Sequence, residues 1–128
     1  MSDANGRAVV MLVEDDPDIR AITMLALMLD PTLEIMEVGC GRDAMRRLER
    51  APPPDLMLID NQLPDMDGVS LAEAVGRRVS PTPLIAFITA SVRADDQRRY
   101  RDVGAVAVIA KPFDPLCLAK QVRALLNR

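Results

Sequence analysis

Four short apolar runs of the sequence each lead into a side chain that could do chemistry. These side chains are Glu14, Asp15 and Asp16 after the first run, Asp60 at the end of the second, Thr89 after the third and Lys111 after the fourth. Carboxylates that lie close together repel one another unless a cation neutralises them. Oxygen ligands without imidazole or thiolate favour Mg²⁺ or a similar hard ion. The residue types therefore predict a magnesium site faced by a hydroxyl and an ammonium group.

Lys111 stands out by residue type, because only two of the 16 basic residues are lysines, at positions 111 and 120. A compact ammonium acts as a point charge toward a phosphate or a carboxylate, whereas a planar guanidinium pairs in a bidentate manner. A lysine without a functional role at a strand end is the alternative from this residue alone. Its place opposite the acids favours a role in charge neutralisation.

Composition and charge exclude several other function classes. The 128 residues include no His, which excludes imidazole metal ligands, Ser-His-Asp or Cys-His nucleophiles and a phosphohistidine on this chain. With 16 basic and 19 acidic residues the net charge is -3, the wrong sign for nonspecific binding to nucleic acid or anionic membranes. Cys40 and Cys117 form no Cys-x-x-Cys pair and are expected to be free thiols in a reducing compartment.

Chain length predicts one domain, with a flexible N-terminal tail over residues 1–7 and the domain over residues 8–127. The apolar run at 8–13 is too short for a signal-peptide core or a membrane span. We therefore expect a cytoplasmic protein without membrane insertion and without direct binding to nucleic acid.

The pattern of apolar residues predicts the elements that position these side chains. Four runs are continuously apolar, as in strands buried on both faces of a parallel sheet. They are AVVMLV (8–13), LMLI (56–59), LIAFI (84–88) and AVAVIA (105–110). LEIMEV (33–38) alternates and predicts an edge strand. Amphipathic stretches separate these runs, so strands and helices alternate as in a doubly wound α/β domain, whose ligands bind at the carboxyl ends of the strands.

Two dipeptides, Asp16-Pro17 and Asp114-Pro115, predict helix starts, because an Asp cap precedes a proline in the first helical position. The apolar face of the first helix is predicted to consist of Ile19, Ile22, Ala26 and Leu29. The stretch from Ala94 to Val103 is polar and predicts a surface helix. We expect Tyr100 in this helix to be half exposed.

Four motifs in order resemble those of one known family. LVEDDPDIR (12–20), PDLMLIDNQLPDMDG (54–68), ITAS (88–91) and KPF (111–113) are similar to the motifs of response-regulator receiver domains of two-component signalling, of the chemotaxis-regulator type. The resemblance covers the chain from about Ala8 to Leu126. It implies a flavodoxin-like fold of five parallel strands in the order 2-1-3-4-5 with five helices. That strand order comes from the resemblance alone.

The resemblance also implies the chemistry of the site. Asp60 would accept the phosphoryl group, while Thr89 and Lys111 would bind phosphoryl oxygens. The donor would be a phosphohistidine on a sensor histidine kinase or a histidine phosphotransfer protein, and the signal would pass to a downstream protein target. The domain would catalyse only the phosphorylation and dephosphorylation of its own aspartate, and would not otherwise be an enzyme.

The metal ligands follow from the same resemblance. Asp15 and Asp60 would bind Mg²⁺ directly, Glu14 would act through water, and the backbone carbonyl of Gln62 would supply a further ligand. Asp16 would lie outside this set. The resemblance further implies a cis peptide bond between Lys111 and Pro112.

The sequence departs from the family at Val108, where the family usually carries Tyr or Phe three residues before the strand-end lysine. Two other functions stay open. One is a pseudo-receiver, an interaction module without phosphotransfer. The other is a small nucleotide-cofactor-binding enzyme, since Gly39-x-Gly41-x-x-Ala44 is followed by Asp60 after about 20 residues. The sequence ends shortly after the last predicted helix, so we expect a stand-alone receiver, with the N-terminal receiver of a longer protein as the alternative.

Overall fold

The computed structural model describes residues 6–91 and 93–127, and these form a parallel sheet with helices on both of its faces. The strands are β1 (Ala8–Val13), β2 (Leu33–Val38), β3 (Leu56–Asp60), β4 (Leu84–Thr89) and β5 (Ala107–Ala110). The helices are α1 (Pro17–Leu27), α2 (Gly41–Arg50), α3 (Gly68–Arg78), α4 (Ala94–Asp102) and α5 (Leu118–Leu126). The strand order is β2-β1-β3-β4-β5 with parallel pairing throughout, which confirms the predicted fold.

The central strands β1, β3 and β4 are buried on both faces, which explains why their sequences do not alternate between apolar and polar residues. Leu58 and Ile88 enter a core cluster that packs under α1 and α5. Ile59 and Phe87, one position away, enter a second cluster that packs under α2, α3 and α4. The sheet therefore separates two half-cores.

The two edges of the sheet differ in how well the sequence pattern predicts them. Glu34 and Glu37 of β2 are exposed while Leu33 and Val38 are buried, so the predicted edge strand is confirmed. The fifth strand is shorter than its apolar run, because β5 starts only at Ala107. Of the two residues before it, residue 105 donates its N–H to the carbonyl of residue 100, away from the sheet, while residue 106 donates its N–H to the carbonyl of residue 85 in β4 but lies outside the strand.

One of the two predicted helix starts is confirmed. The Asp16 side chain accepts hydrogen bonds from the N–H groups of Asp18 and Ile19 and caps α1, with Pro17 in the first position. The prediction at Asp114 is wrong, since α5 begins at Leu118. The Asp114 carbonyl instead closes a turn with the N–H of Cys117.

The predicted apolar face of α1 is partly wrong. Ile22 is 53% exposed, and Leu29, at 60% exposed, lies beyond the end of the helix. The buried residues of α1 are Thr23, Ala26 and Leu27. The Thr23 hydroxyl donates to the Ile19 carbonyl of the same helix, so a polar residue lies on the buried face with its hydrogen bond satisfied.

Two sequence expectations concern the terminus and membranes. Residues 1–5 of the predicted tail lie outside the described residues. Among the helices of the described residues, none combines the length and the apolar character that crossing a membrane requires.

Candidate functional site

A cleft of about 700 Å³ opens at the carboxyl edge of the sheet and contains every side chain that the sequence predicts for the site. Its lining includes Glu14, Asp15, Asp60, Gln62, Thr89 and Lys111. They meet there because parallel strands end at the same edge of a doubly wound sheet. The cleft is thus built by the loops that follow β1, β3, β4 and β5.

Three acids form the centre of this cleft. Glu14, Asp15 and Asp60 each offer a carboxylate oxygen, and these oxygens lie within 4.8 Å of one another. Glu14 is buried, Asp60 is half-buried and Asp15 is exposed. Asp16 is not part of the trio and caps α1 instead. A set of carboxylate oxygens partly open to solvent matches what Mg²⁺ prefers, since this ion keeps several waters.

The Lys111 ammonium bridges two of these acids. Its Nζ lies 3.2 Å from Asp60 Oδ1 and 3.4 Å from Glu14 Oε1. Burial alone would lower the pKa of Lys111, but the charges of Asp60 and Glu14 outweigh burial and raise that pKa above its ordinary value. Lys111 is therefore cationic at neutral pH and directed at the carboxylate expected to react.

The arrangement shifts the pKa of Glu14 strongly. Burial, followed by the hydrogen bond and the charge of Asp60, raises the pKa of Glu14 to about 7. The N–H of Asp16, which donates to Glu14 Oε2 at 3.2 Å, and the Lys111 ammonium act in the opposite direction. A cation bound among the three acids would favour the ionised form.

Gln62 and Gly68 shape the loop that follows β3. The N–H of Gln62 lies 3.4 Å from Asp60 Oδ1. A Cβ on Gly68 would lie 2.8 Å from the Asp60 carbonyl oxygen, so the start of α3 approaches the strand end more closely than a side chain would allow. The peptide bond between Lys111 and Pro112, across the cleft, is cis, as the resemblance implies.

Thr89 lies at the cleft end of β4 and is buried. Its Oγ1 accepts hydrogen bonds from the N–H of Ser91 at 3.0 Å and from the hydroxyl of Tyr100 at 3.2 Å. Tyr100 is fully buried, and its ring lies against Phe87, with centroids 4.7 Å apart and planes 30° from parallel. The expectation of a half-exposed Tyr100 is therefore wrong.

The error over Tyr100 has a physical reason. The polar character of α4 correctly predicts a surface helix, but a surface helix still needs an apolar anchor to the sheet. Tyr100 is the residue of α4 that is buried. As the one aromatic residue in a charged helix, Tyr100 is the natural anchor, but its contact with Thr89 does not follow from the sequence pattern.

Comparison with known proteins identifies the family. The family model described as "Response regulator receiver domain" matches residues 10–123. The chain belongs to this family. Among curated relatives, the transcriptional regulatory protein CseB of Streptomyces coelicolor is 39% identical over 123 residues, which cover 93% of this chain and 49% of that protein. The chain thus spans about half the length of this curated relative.

Solved receiver structures share the fold. The signal receiver domain of a putative Luxo repressor protein from Vibrio parahaemolyticus has a TM-score of 0.86 at 28% identity, covering 95% of this chain and 92% of that one. The chemotaxis response regulator CheY4 of Vibrio cholerae has a TM-score of 0.81 at 26% identity, covering 93% and 98% respectively.

The glycine motif of the receiver domain does not offer a free phosphate-binding helix end. The N–H groups of Gly41 and Arg42, at the start of α2, donate to the Asp65 carboxylate at 2.9 and 2.8 Å. A dinucleotide phosphate would need such backbone donors at the helix N-terminus. Since Asp65 already accepts from them, the motif serves to join the loops after β2 and β3.

Proposed function

We propose that this receiver domain takes a phosphoryl group from a phosphohistidine of a partner protein onto Asp60. The observation that supports the proposal most strongly is the contact of Lys111 Nζ with Asp60 Oδ1 at 3.2 Å, beside two further carboxylates in an open cleft. An acid of this kind is held in place as a nucleophile, while the ammonium is available for the charge that arrives with the phosphoryl group.

In the transfer, a carboxylate oxygen of Asp60 attacks phosphorus and the P–N bond to the partner's imidazole breaks. The imidazole leaves with the electron pair of that bond and is protonated, and Asp60 becomes an acyl phosphate. Lys111 neutralises one phosphoryl oxygen and the Thr89 hydroxyl donates to another. Water later hydrolyses the acyl phosphate, which regenerates Asp60. The domain therefore catalyses only its own modification.

Mg²⁺ fits the acid trio, because carboxylate oxygens from Asp15, Glu14 and Asp60 converge within 4.8 Å. Asp15 and Asp60 would hold the ion directly, Glu14 through water, and the Gln62 carbonyl would complete the protein ligands. The ion would supply positive charge to the transferring phosphoryl group.

The partners follow from this chemistry. A sensor histidine kinase or a histidine phosphotransfer protein supplies the phosphoryl group, because the chain has no His of its own. A downstream protein target reads the phosphorylated state in the cytoplasm, and the domain over residues 8–127 neither binds nucleic acid directly nor inserts into membranes. The pseudo-receiver alternative is less well supported, since the acid trio, Thr89 and Lys111 all line the cleft.

The test is to incubate the protein with acetyl phosphate and Mg²⁺ and to measure its intact mass. We expect one phosphoryl adduct in the wild type and in the control Asp102→Asn, which alters an exposed acid of α4. Asp60→Asn should give no adduct, and Asp15→Ala should weaken Mg²⁺ binding and phosphorylation together. An adduct that survives in Asp60→Asn would refute the assignment. A wild type that takes no phosphoryl group would favour the pseudo-receiver.

A further inference from the structure

The hydrogen bonds of Thr89 constrain what its hydroxyl can do. A threonine hydroxyl has one proton to donate and two lone pairs that accept. Both accepting positions of Oγ1 are taken, one by the N–H of Ser91 and one by the hydroxyl of Tyr100. The proton of Thr89 is thereby left for a partner on the remaining side, and Thr89 lines the cleft that contains Asp60 and Lys111.

Tyr100 is held firmly enough to impose this arrangement. Its side chain is fully buried, its ring lies 4.7 Å from that of Phe87, and Val108 packs against the same cluster. Phe87 is two residues before Thr89 in β4, so the ring and the hydroxyl of Tyr100 contact the same strand. Burial raises the pKa of Tyr100 above its ordinary value, which keeps the phenol protonated and able to donate.

Helix α4 has further connections to the loop that follows Thr89. The Ser91 hydroxyl donates to Asp96 Oδ2 at 2.5 Å, and the Gln97 side-chain amide donates to the Ser91 carbonyl at 3.1 Å. Tyr100 adds a third connection, one turn further along the same helix. A displacement of Thr89 or Ser91 is therefore passed to α4 at three points.

We propose that Tyr100 is a positioning residue for the phosphorylation of Asp60: it holds Thr89 as a donor to the phosphoryl group and couples that contact to α4. This inference rests on the proposed function, because it needs a phosphoryl oxygen to receive the Thr89 proton. Tyr100 does not touch the reacting atoms and acts through Thr89. Its place is α4, so it differs from the aromatic residue that the family carries at the position of Val108.

The first test is a double-mutant cycle on the rate of phosphorylation by acetyl phosphate with Mg²⁺. Tyr100→Phe removes the hydroxyl and keeps the ring, and we expect it to slow the reaction by about threefold to tenfold, the effect of one hydrogen bond. In a Thr89→Val background the same change should have no further effect, since the group through which Tyr100 acts is gone. Thr23→Val, which removes a buried hydroxyl bond in α1, is the control and should leave the rate unchanged.

The second test uses tyrosine fluorescence, because the chain contains one Tyr and no Trp. The emission therefore reports directly on Tyr100. Beryllofluoride with Mg²⁺, an analogue of the phosphoryl group, should change this emission in the wild type. The change should diminish in Thr89→Val at saturating beryllofluoride, whereas a merely structural tyrosine would show no dependence on Thr89.

The outcomes separate this inference from the proposed function. If the wild type is phosphorylated on Asp60 and Tyr100→Phe reacts at the wild-type rate, the role of Tyr100 is refuted and the proposed function stands. An equal loss of rate from Tyr100→Phe with and without the Thr89 hydroxyl also refutes it. If the wild type takes no phosphoryl group, the proposed function fails and this inference fails with it.

Discussion

Glu14 illustrates how an acidic site can oppose folding. The residue is 4% exposed and lies beside Asp60, and the pKa of its carboxyl group, about 7, exceeds the ordinary value of 4.5. Between these two pH values the folded protein retains a proton that the unfolded chain has released. The free energy of unfolding therefore falls as pH rises from about 4.5 to about 7, and the cost persists above that range.

We expect Glu14→Gln to stabilise the metal-free protein at pH 8, by on the order of 1–3 kcal/mol, and to have much less effect at pH 5. Glutamine keeps the acceptor for Lys111 and removes the charge. Urea unfolding in the presence of a chelator at the two pH values measures the difference. Glu34→Gln, at an exposed position of β2, is the control. Equal gains at both pH values would show that the charge of Glu14 is not the cause.

The shape of the cation at position 111 matters as well as its charge. Lys111 Nζ contacts Asp60 and Glu14 with single hydrogen bonds. A guanidinium would pair with a carboxylate through two parallel bonds and hold Asp60 back from attack. We expect Lys111→Arg to slow phosphorylation by acetyl phosphate by about 100-fold, as for loss of one group that stabilises transition-state charge. Lys120→Arg, in α5, should react like the wild type, and a fully active Lys111→Arg would contradict this account.

Two glycines of the same helix should respond in opposite ways to alanine. At Gly68, the first residue of α3, a Cβ would meet the Asp60 carbonyl oxygen at 2.8 Å, and this backbone atom cannot rotate away. At Gly76, in the interior of α3, a Cβ would find nothing within 4 Å. The close approach of α3 to the end of β3 thus depends on one missing side chain.

We expect Gly68→Ala to lower the free energy of unfolding by about 1–3 kcal/mol, because the strand end must shift. Phosphorylation of Asp60 should slow at the same time. Gly76→Ala should raise stability by about 0.5–1 kcal/mol, since alanine is the better helix former. Chemical denaturation and the phosphorylation assay measure both effects. A stable and fully active Gly68→Ala would show that the loop after β3 tolerates a side chain there.

Sequence patterns predict the strands and helix caps whose structure depends on neighbouring residues in the chain. The apolar runs of β1, β3 and β4 reflect burial on both faces, and the Asp16-Pro17 cap needs only its own helix, so both are confirmed. Elements that depend on distant partners are predicted less well. Asp114-Pro115 has the same two residue types as the Asp16-Pro17 cap, but it forms a turn before α5.

The sequence likewise predicts some features of the candidate site and not others. The strand-end positions of Asp60 and Lys111 follow from topology, which brings them into one cleft. The contact of Tyr100 with Thr89 depends on how closely α4 packs against β4. The spacing of residues in the sequence does not predict that packing distance. Asp65 accepts from the N–H of Gly41 at the N-terminus of α2, 24 positions away along the chain. The sequence pattern does not predict this contact either.

The output surface is expected to lie on α4, β5 and α5. Beryllofluoride with Mg²⁺ should change hydrogen exchange over residues 93–103, and the change should diminish in Thr89→Ala. Phosphorylation can shift a conformational equilibrium only through contacts that one state has and the other lacks, and the Thr89 hydroxyl offers such a contact. Mass-detected exchange on the wild type and the variant measures this. Changes confined to α2 would show that the output surface lies elsewhere.

The two half-cores also bear on how this protein can diverge from its relatives. Because β1, β3 and β4 send alternate side chains to opposite faces, a change of volume under α1 and α5 is not felt directly under α2, α3 and α4. The side chains of each half-core can therefore change through compensating substitutions within that half-core. The candidate site, by contrast, is lined by loops that lead into helices of both half-cores. We therefore expect the interior of this domain to accept substitutions in one half-core without matching changes in the other.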